Sequence, residues 1–124
     1  MIVNESAENY LETILVLSKK MDAVRSIDIA AELDFKKSSV SVGMKNLREK
    51  NYIQVDEFGY ITLTAEGRKI AESVLERHTL LSGWLQSIGV DASIASEDAC
   101  RIEHVISEKS FAAIKDYLKK SSTA

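Results

Sequence analysis

The chain has 124 residues, 45% hydrophobic and 28% charged, with a formal net charge of −3. That is enough for one ordinary domain or two small ones sharing a core, and no apolar run is long enough to span a bilayer. Its single cysteine, Cys100, excludes an internal disulfide framework.

The start, Met1-Ile2-Val3-Asn4-Glu5, has neither a basic n-region nor a long apolar h-region, so the chain reads as cytoplasmic with no membrane partner. A helix is expected from Ser6, as N-cap, to about Lys20, burying Tyr10, Leu11, Ile14, Leu15 and Leu17. Asn9 and Glu12 lie three apart on another face of it. Met21 to Arg25 reads as a turn. Ser26 then caps a short helix over Ile27 to Leu33, with Ile29, Ala30 and Leu33 inward. Asp34-Phe35-Lys36-Lys37 makes a tight connection, and a further helix starts at Lys37 or Ser38 and runs through Val40, Met44 and Leu47 to about Lys50. Two short helices so joined, the second opening on small polar residues, form a helix-turn-helix pattern.

Charge distribution supports that pattern better than net charge does. Between Lys36 and Lys50 five cations (Lys36, Lys37, Lys45, Arg48, Lys50) face one anion, Glu49, for a local +4, leaving −7 on the rest of the chain. A basic island on an acidic chain is what local phosphate neutralisation requires. Ser38, Ser39, Ser41 and Val42 are placed to face bases, and Lys36, Lys37, Lys45 and Arg48 to face phosphates. Gly43 is out of place in such a helix, where it costs stability.

After Tyr52 the period changes to alternation. Ile53-Gln54-Val55 and Tyr60-Ile61-Thr62-Leu63-Thr64 flank Asp56-Glu57-Phe58-Gly59, a β-hairpin with Gly59 in the turn. Directly after a helix-turn-helix it reads as a wing, bringing Phe58 and Tyr60 near the DNA backbone or minor groove. Thr64 caps a long helix from Ala65 to about Ile88, stopped by Gly89. Asp91 opens an irregular connection or short helix, Ser96 to Ser107 forms the next helix, and Phe111 to Leu118 a last one before the polar tail Ser121-Ser122-Thr123-Ala124. These last helices carry more apolar positions than they can hide alone, which predicts a homodimer. The fold class is therefore mainly α with a small β-hairpin wing. It is a winged helix-turn-helix DNA-binding domain (1–70) followed by an all-helical dimerisation domain (71–124), to which the following residues add a metal-binding character.

Cys100, Glu103 and His104 stand at i, i+3 and i+4 of one helix and so share a face. A soft sulfur, a hard oxygen and an intermediate nitrogen on one patch can hold a divalent transition metal.

An ordered set of segments carries a resemblance over nearly the whole length: Glu8-Asn9-Tyr10-Leu11-Glu12-Thr13-Ile14, Ile27-Asp28-Ile29-Ala30, Lys37-Ser38-Ser39-Val40-Ser41, Leu63-Thr64-Ala65-Glu66-Gly67, Arg77-His78, Ile88-Gly89-Val90-Asp91 and Asp98 to Ser107. With these the chain resembles the metal-dependent repressor family of the diphtheria toxin repressor and the manganese transport regulator, in its two-domain form. The resemblance implies Glu103, His104 and His78 as metal ligands, with Glu12 at a ligand position of the manganese branch and Cys100 at the cysteine of the iron branch. Asn9 matches neither branch, which have methionine or aspartate there; an amide oxygen is a weaker ligand. Ser82 and Ser96 stand where an ancillary site of the iron branch has glutamate and histidine, implying a site that is degraded or merged with the main one. The only two histidines of the chain, His78 and His104, both fall at matched ligand positions.

The function so implied is a metal-dependent transcriptional regulator, a repressor of metal-uptake genes, acting on a double-stranded DNA operator. Fe(II) or Mn(II) is the expected co-repressor and fixes the dimer geometry; Zn(II) or Co(II) can occupy the site in vitro. The competing reading is a metal-independent winged-helix regulator that senses a small molecule or an oxidant through Cys100. An enzyme with Cys100 as nucleophile and His104 as base has little support, since no oxyanion hole or substrate cleft is evident. Neither an activity as an enzyme nor a small organic substrate is expected.

Overall fold

The computed structural model describes residues 5–122. Met1 to Asn4, in the opening segment, and Thr123 and Ala124, in the expected polar tail, lie outside them. The elements are α1 (Glu5–Ser18), α2 (Ser26–Leu33), α3 (Lys37–Glu49), β1 (Ile53–Val55), β2 (Ile61–Leu63), α4 (Ala65–Ser87), α5 (Ala92–Val105) and α6 (Glu108–Ser122). None of the described helices is long and apolar enough to cross a membrane. The chain divides into two compact units, residues 1–73 and 74–124, with the division inside α4.

In the first unit α1 buries Ala7, Tyr10, Leu11, Ile14, Leu15 and Leu17, which recur at helical spacing. Ser6 is inside this helix and is not its N-cap. Glu5 and Glu8 occupy the first turn, where negative charge complements the helix dipole. The helix stops at Ser18, earlier than expected, with Lys20 and Met21 N–H both turning back to the Leu17 carbonyl.

Ser26 is likewise helical and not a cap. Arg25 is the N-cap residue, and its backbone N–H donates to Asp28 Oδ2 at 2.9 Å. Asp28 therefore supplies the reciprocal half of a capping arrangement. At the other end Asp34 adopts the left-handed conformation, φ 55, reversing the chain into α3. Val40, Met44 and Leu47 point inward, and α3 closes at left-handed Asn51, with Tyr52 N–H donating to the Leu47 carbonyl.

β1 and β2 pair antiparallel in the register Ile53↔Leu63, Gln54↔Thr62 and Val55↔Ile61. The expected turn over Met21 to Arg25 does more than reverse the chain, because Val24 bridges Ile61, whose N–H donates to the Val24 carbonyl at 2.7 Å. This ties the wing to the segment before α2. Val24, Ile29, Val40, Leu47, Ile53 and Ile61 fill the interior with Leu11, Ile14 and Leu15, each contributing about 2 kcal/mol by removal from water.

Two glycines mark close approaches. A Cβ on Gly43 would press into the edge of the buried Tyr10 ring, and one on Gly67 would collide with the Tyr52 carbonyl oxygen. The recognition-type helix thus accepts a poor helix former at Gly43 because α1 needs that space for an aromatic ring. Thr64 Oγ1 accepts the Gly67 N–H at 3.1 Å, so Thr64 caps α4 as its sequence position implies.

In the second unit α4 ends at Ser87 and is closed by Gly89, φ 104, with Val90 N–H bonded to the Leu85 carbonyl and Gly89 N–H to that of Gln86, a Schellman closure. The irregular connection or short helix expected from Asp91 and the helix expected from Ser96 are one continuous helix, α5. Asp91 is its N-cap, accepting from Ser93 N–H at 3.2 Å and from Ser93 Oγ at 2.6 Å. α5 stops at Val105 rather than Ser107, and Ser107 caps α6 through the Ser110 N–H. α6 starts at Glu108, earlier than expected, and runs on to Ser122. Leu81, Ala99 and Phe111 form the core here, with Leu80, Trp84, Ile102 and Ile106 packed around it.

Candidate metal centre and nucleic-acid interface

With Val40, Met44 and Leu47 turned inward, α3 presents its other positions to solvent. Lys36, Lys37, Ser38, Ser39, Ser41, Lys45 and Arg48 are exposed, and Val42 is 59% exposed. An apolar side chain this open among hydroxyls and cations suits contact with a base methyl group. The wing tip is shaped by Asp56, whose Oδ1 accepts the backbone N–H groups of Phe58 and Tyr60, each at 2.9 Å. The Phe58 and Tyr60 rings lie 6.1 Å apart. The Arg25 guanidinium stacks over the Tyr60 ring at 4.7 Å, a cation–π contact.

Arg25 is a residue that sequence reasoning missed. Nothing within its own segment marks it; the signal is the Val24–Ile61 bridge, a pairing across many intervening residues.

The second cluster is built around a buried carboxylate. Cys100, Glu103 and His104 come together on α5 with one ligand atom each, all mutually within 4.8 Å. Glu103 is fully buried. Its Oε1 lies 3.4 Å from His104 Nε2, and its Oε2 lies 3.1 Å from Nδ1 of His78 on α4. One carboxylate therefore faces both histidines, one with each oxygen.

A cation fits this set. Burying a carboxylate is costly unless charge or hydrogen bonds compensate it, and Glu103 Oε1 has no hydrogen-bond partner among the described residues. The thiol, imidazole and carboxylate beside it are together suited to a divalent transition metal. Asn9 and Glu12 are both on α1, and the Asn9 carbonyl accepts the Thr13 hydroxyl at 2.8 Å. Of the two ancillary positions, Ser82 accepts from Gln86 Nε2 at 3.2 Å and Ser96 Oγ lies 3.4 Å from His78 Nε2.

Arg77 was also without a role in the sequence reading. Its Nη1 donates to the Glu103 carbonyl at 3.1 Å, a contact between two helices that only the packed unit reveals.

Residues 3–58 match the model of the iron dependent repressor N-terminal DNA-binding domain, and residues 64–124 that of the iron dependent repressor metal-binding and dimerisation domain. The chain belongs to the iron-dependent repressor family. Both halves of a metal-dependent DNA-binding repressor are present, in the expected order.

Among relatives of this repressor, an uncharacterized HTH-type transcriptional regulator of Methanocaldococcus jannaschii is 30% identical, over 95% of this chain and 96% of that one. The transcriptional regulator MntR of Escherichia coli is 32% identical, over 94% of this chain and 75% of its own. A solved manganese-dependent transcriptional repressor in complex with manganese superposes with a TM-score of 0.83 at 27% identity, over 91% of this chain. The present chain spans 52% of that protein. The winged-helix architecture and the mainly helical class are thus those of the family.

Proposed function

We propose that this repressor controls genes of metal uptake and that Cys100, Glu103, His104 and His78 hold its co-repressor, Fe(II) or Mn(II). The observation that carries the reading is the buried Glu103 carboxylate, with an imidazole at each oxygen and a thiol on the same helix face. A bound cation supplies the positive charge that lets a thiolate and a carboxylate share a buried space. Oxygen and nitrogen ligands suit Mn(II) and Fe(II), and Cys100 moves the preference toward Fe(II); Zn(II) or Co(II) would also bind in vitro. Glu12, and more weakly Asn9, enter the ligand set through the family resemblance.

The DNA half is assigned to residues 1–70 and the metal-binding half to 71–124. On the operator, Ser38, Ser39, Ser41 and Val42 face bases, Lys36, Lys37, Lys45 and Arg48 neutralise phosphates, and Phe58 and Tyr60 set the wing against the backbone. The repressor acts as a homodimer. Ile88, Ile94, Val105 and Tyr117 of the second unit are between 52% and 80% exposed, apolar surface that a second copy would cover. Ligands that hold still fix the dimer spacing that fits successive major grooves, and loading shifts that equilibrium only by the difference in cation affinity between competent and incompetent arrangements.

The test is operator binding by apo protein titrated with Mn(II), Fe(II) and Zn(II), alongside Glu103→Gln and His104→Ala. Tight binding only in the metal-loaded wild type is expected. Equal binding by apo and loaded protein would overturn the co-repressor role and leave a metal-independent regulator.

A further inference from the structure

Glu103 is gripped twice by consecutive residues of α4. His78 Nδ1 meets its carboxylate, and Arg77 Nη1 donates to its backbone carbonyl, both at 3.1 Å. That carbonyl lies in the last turn of α5, where the helix has run out of its own donors. α5 ends at Val105, Ile106 is extended, and the Ile106 N–H goes to Ile102. A guanidinium here satisfies the orphaned carbonyl and adds positive charge at the negative end of the helix dipole.

The guanidinium is itself held in place. Its carbon lies 5.8 Å from the centroid of the Phe111 ring, within cation–π range, and Phe111 belongs to the buried cluster with Leu81 and Ala99. Arg77 Nε is buried with no hydrogen-bond partner among the described residues, an unfavourable state for a charged donor. The fork is thus aimed at Glu103 at the expense of one of its own donors.

We propose that Arg77 is a positioning residue of the metal centre, fixing the end of α5 so that Glu103 and His104 stay in ligating position whether or not a cation is bound. The two grips differ in this respect. The contact with His78 is made between two side chains that would both belong to the ligand set, so a bound cation would compete for it. The contact with Arg77 uses a carbonyl outside that set and persists. The inference rests on the metal reading given above.

The test uses the full chain as wild type, Arg77→Met, Arg77→Lys and His104→Ala. Co(II) binding is followed by visible absorption, Mn(II) binding by electron paramagnetic resonance, and apo thermal midpoints are recorded beside them. Arg77→Met is expected to lose about tenfold to hundredfold in affinity for both ions, the usual scale for an outer partner of a ligand, and to shift the Co(II) spectrum at saturation. Arg77→Lys keeps charge and reach but not the planar fork or its aromatic stacking, and is expected to fall between the two.

Affinities and saturated spectra equal to wild type in both variants, whatever their thermal midpoints, would overturn the proposal. Should Arg77→Met fail to fold, equality of Arg77→Lys with wild type does so alone. Wild-type metal binding by His104→Ala would remove the metal centre itself, and this inference with it.

Discussion

The side chains proposed to meet DNA in the N-terminal unit are exposed, whereas Glu103, at the centre of the metal cluster proposed for the C-terminal unit, is fully buried. Lys36, Lys37, Lys45 and Arg48 are exposed. On the proposed reading their pull on phosphates would be long-range, additive and screened by salt. Glu103 is fully buried, and His78, His104 and Arg77 all bear on it. In that low-dielectric setting a misplaced or missing partner is costly and effects are not additive. A basic face should therefore tolerate the loss of any one member, and a buried ligand cluster should not.

The contrast can be broken or sharpened by substitutions of decreasing effect. Gly67→Ala, which forces a methyl group into the Tyr52 carbonyl, should cost about 3 kcal/mol, at the upper end of overpacking penalties. Urea unfolding would show it, and a loss under 1 kcal/mol (roughly the lower bound for overpacking) would mean that the α4 start and the Tyr52 segment can separate easily. Glu103→Gln should lower metal affinity by at least about 100-fold, more than an outer partner would. Retained affinity in isothermal titration would place the ligands elsewhere.

Gly43→Ala comes next, at about 2 kcal/mol, because the Tyr10 ring is buried and cannot swing clear. It should weaken the fold without changing the salt dependence of DNA binding per folded molecule. Lys45→Ala should lower operator affinity modestly and evenly across sequences, reducing the log–log salt slope by about 1. It should leave the metal titration unchanged. A sequence-dependent loss would show that Lys45 reads bases.

The smallest effect belongs to Asp91. Hydrogen bonds from the Ser93 side chain, then from the Ser93 backbone, hold its carboxyl below the usual value. Its capping contribution is therefore present above the unfolded pKa and lost as pH falls through the depressed folded value. The difference in thermal midpoint between wild type and Asp91→Ala should be visible at neutral pH and vanish in acid. Being fully solvent-exposed, this cap should matter far less than either glycine.

Local pattern was enough for most elements of the fold. Val40, Met44 and Leu47 at helical spacing, the alternation around Gly59, Thr64 before α4 and Gly89 after it each encode structure within a few residues, and each is observed as expected. The caps at Ser6 and Ser26 were misplaced because several polar residues near a helix start compete for one role. Glu5 already lies in the helix, and Asp28 reaches back to Arg25. From Asp91 the sequence leaves an irregular connection or a short helix open, because its cap, completed by Ser93, has no signature stronger than a short polar run.

For the functional clusters the boundary between the two kinds of information is the boundary between one helix and two. Sequence by itself determined the basic island of α3 and the shared face of Cys100, Glu103 and His104, because charge sum and helical period are properties of a single segment. Tertiary structure decided that Glu103 is fully buried, that His78 meets one of its oxygens and Arg77 its carbonyl, that Arg25 stacks on Tyr60, and that Gly43 makes room for Tyr10. Each of these depends on packing between segments distant in the chain, and burial, which turns a surface carboxylate into a candidate ligand, does not exist until that packing is complete.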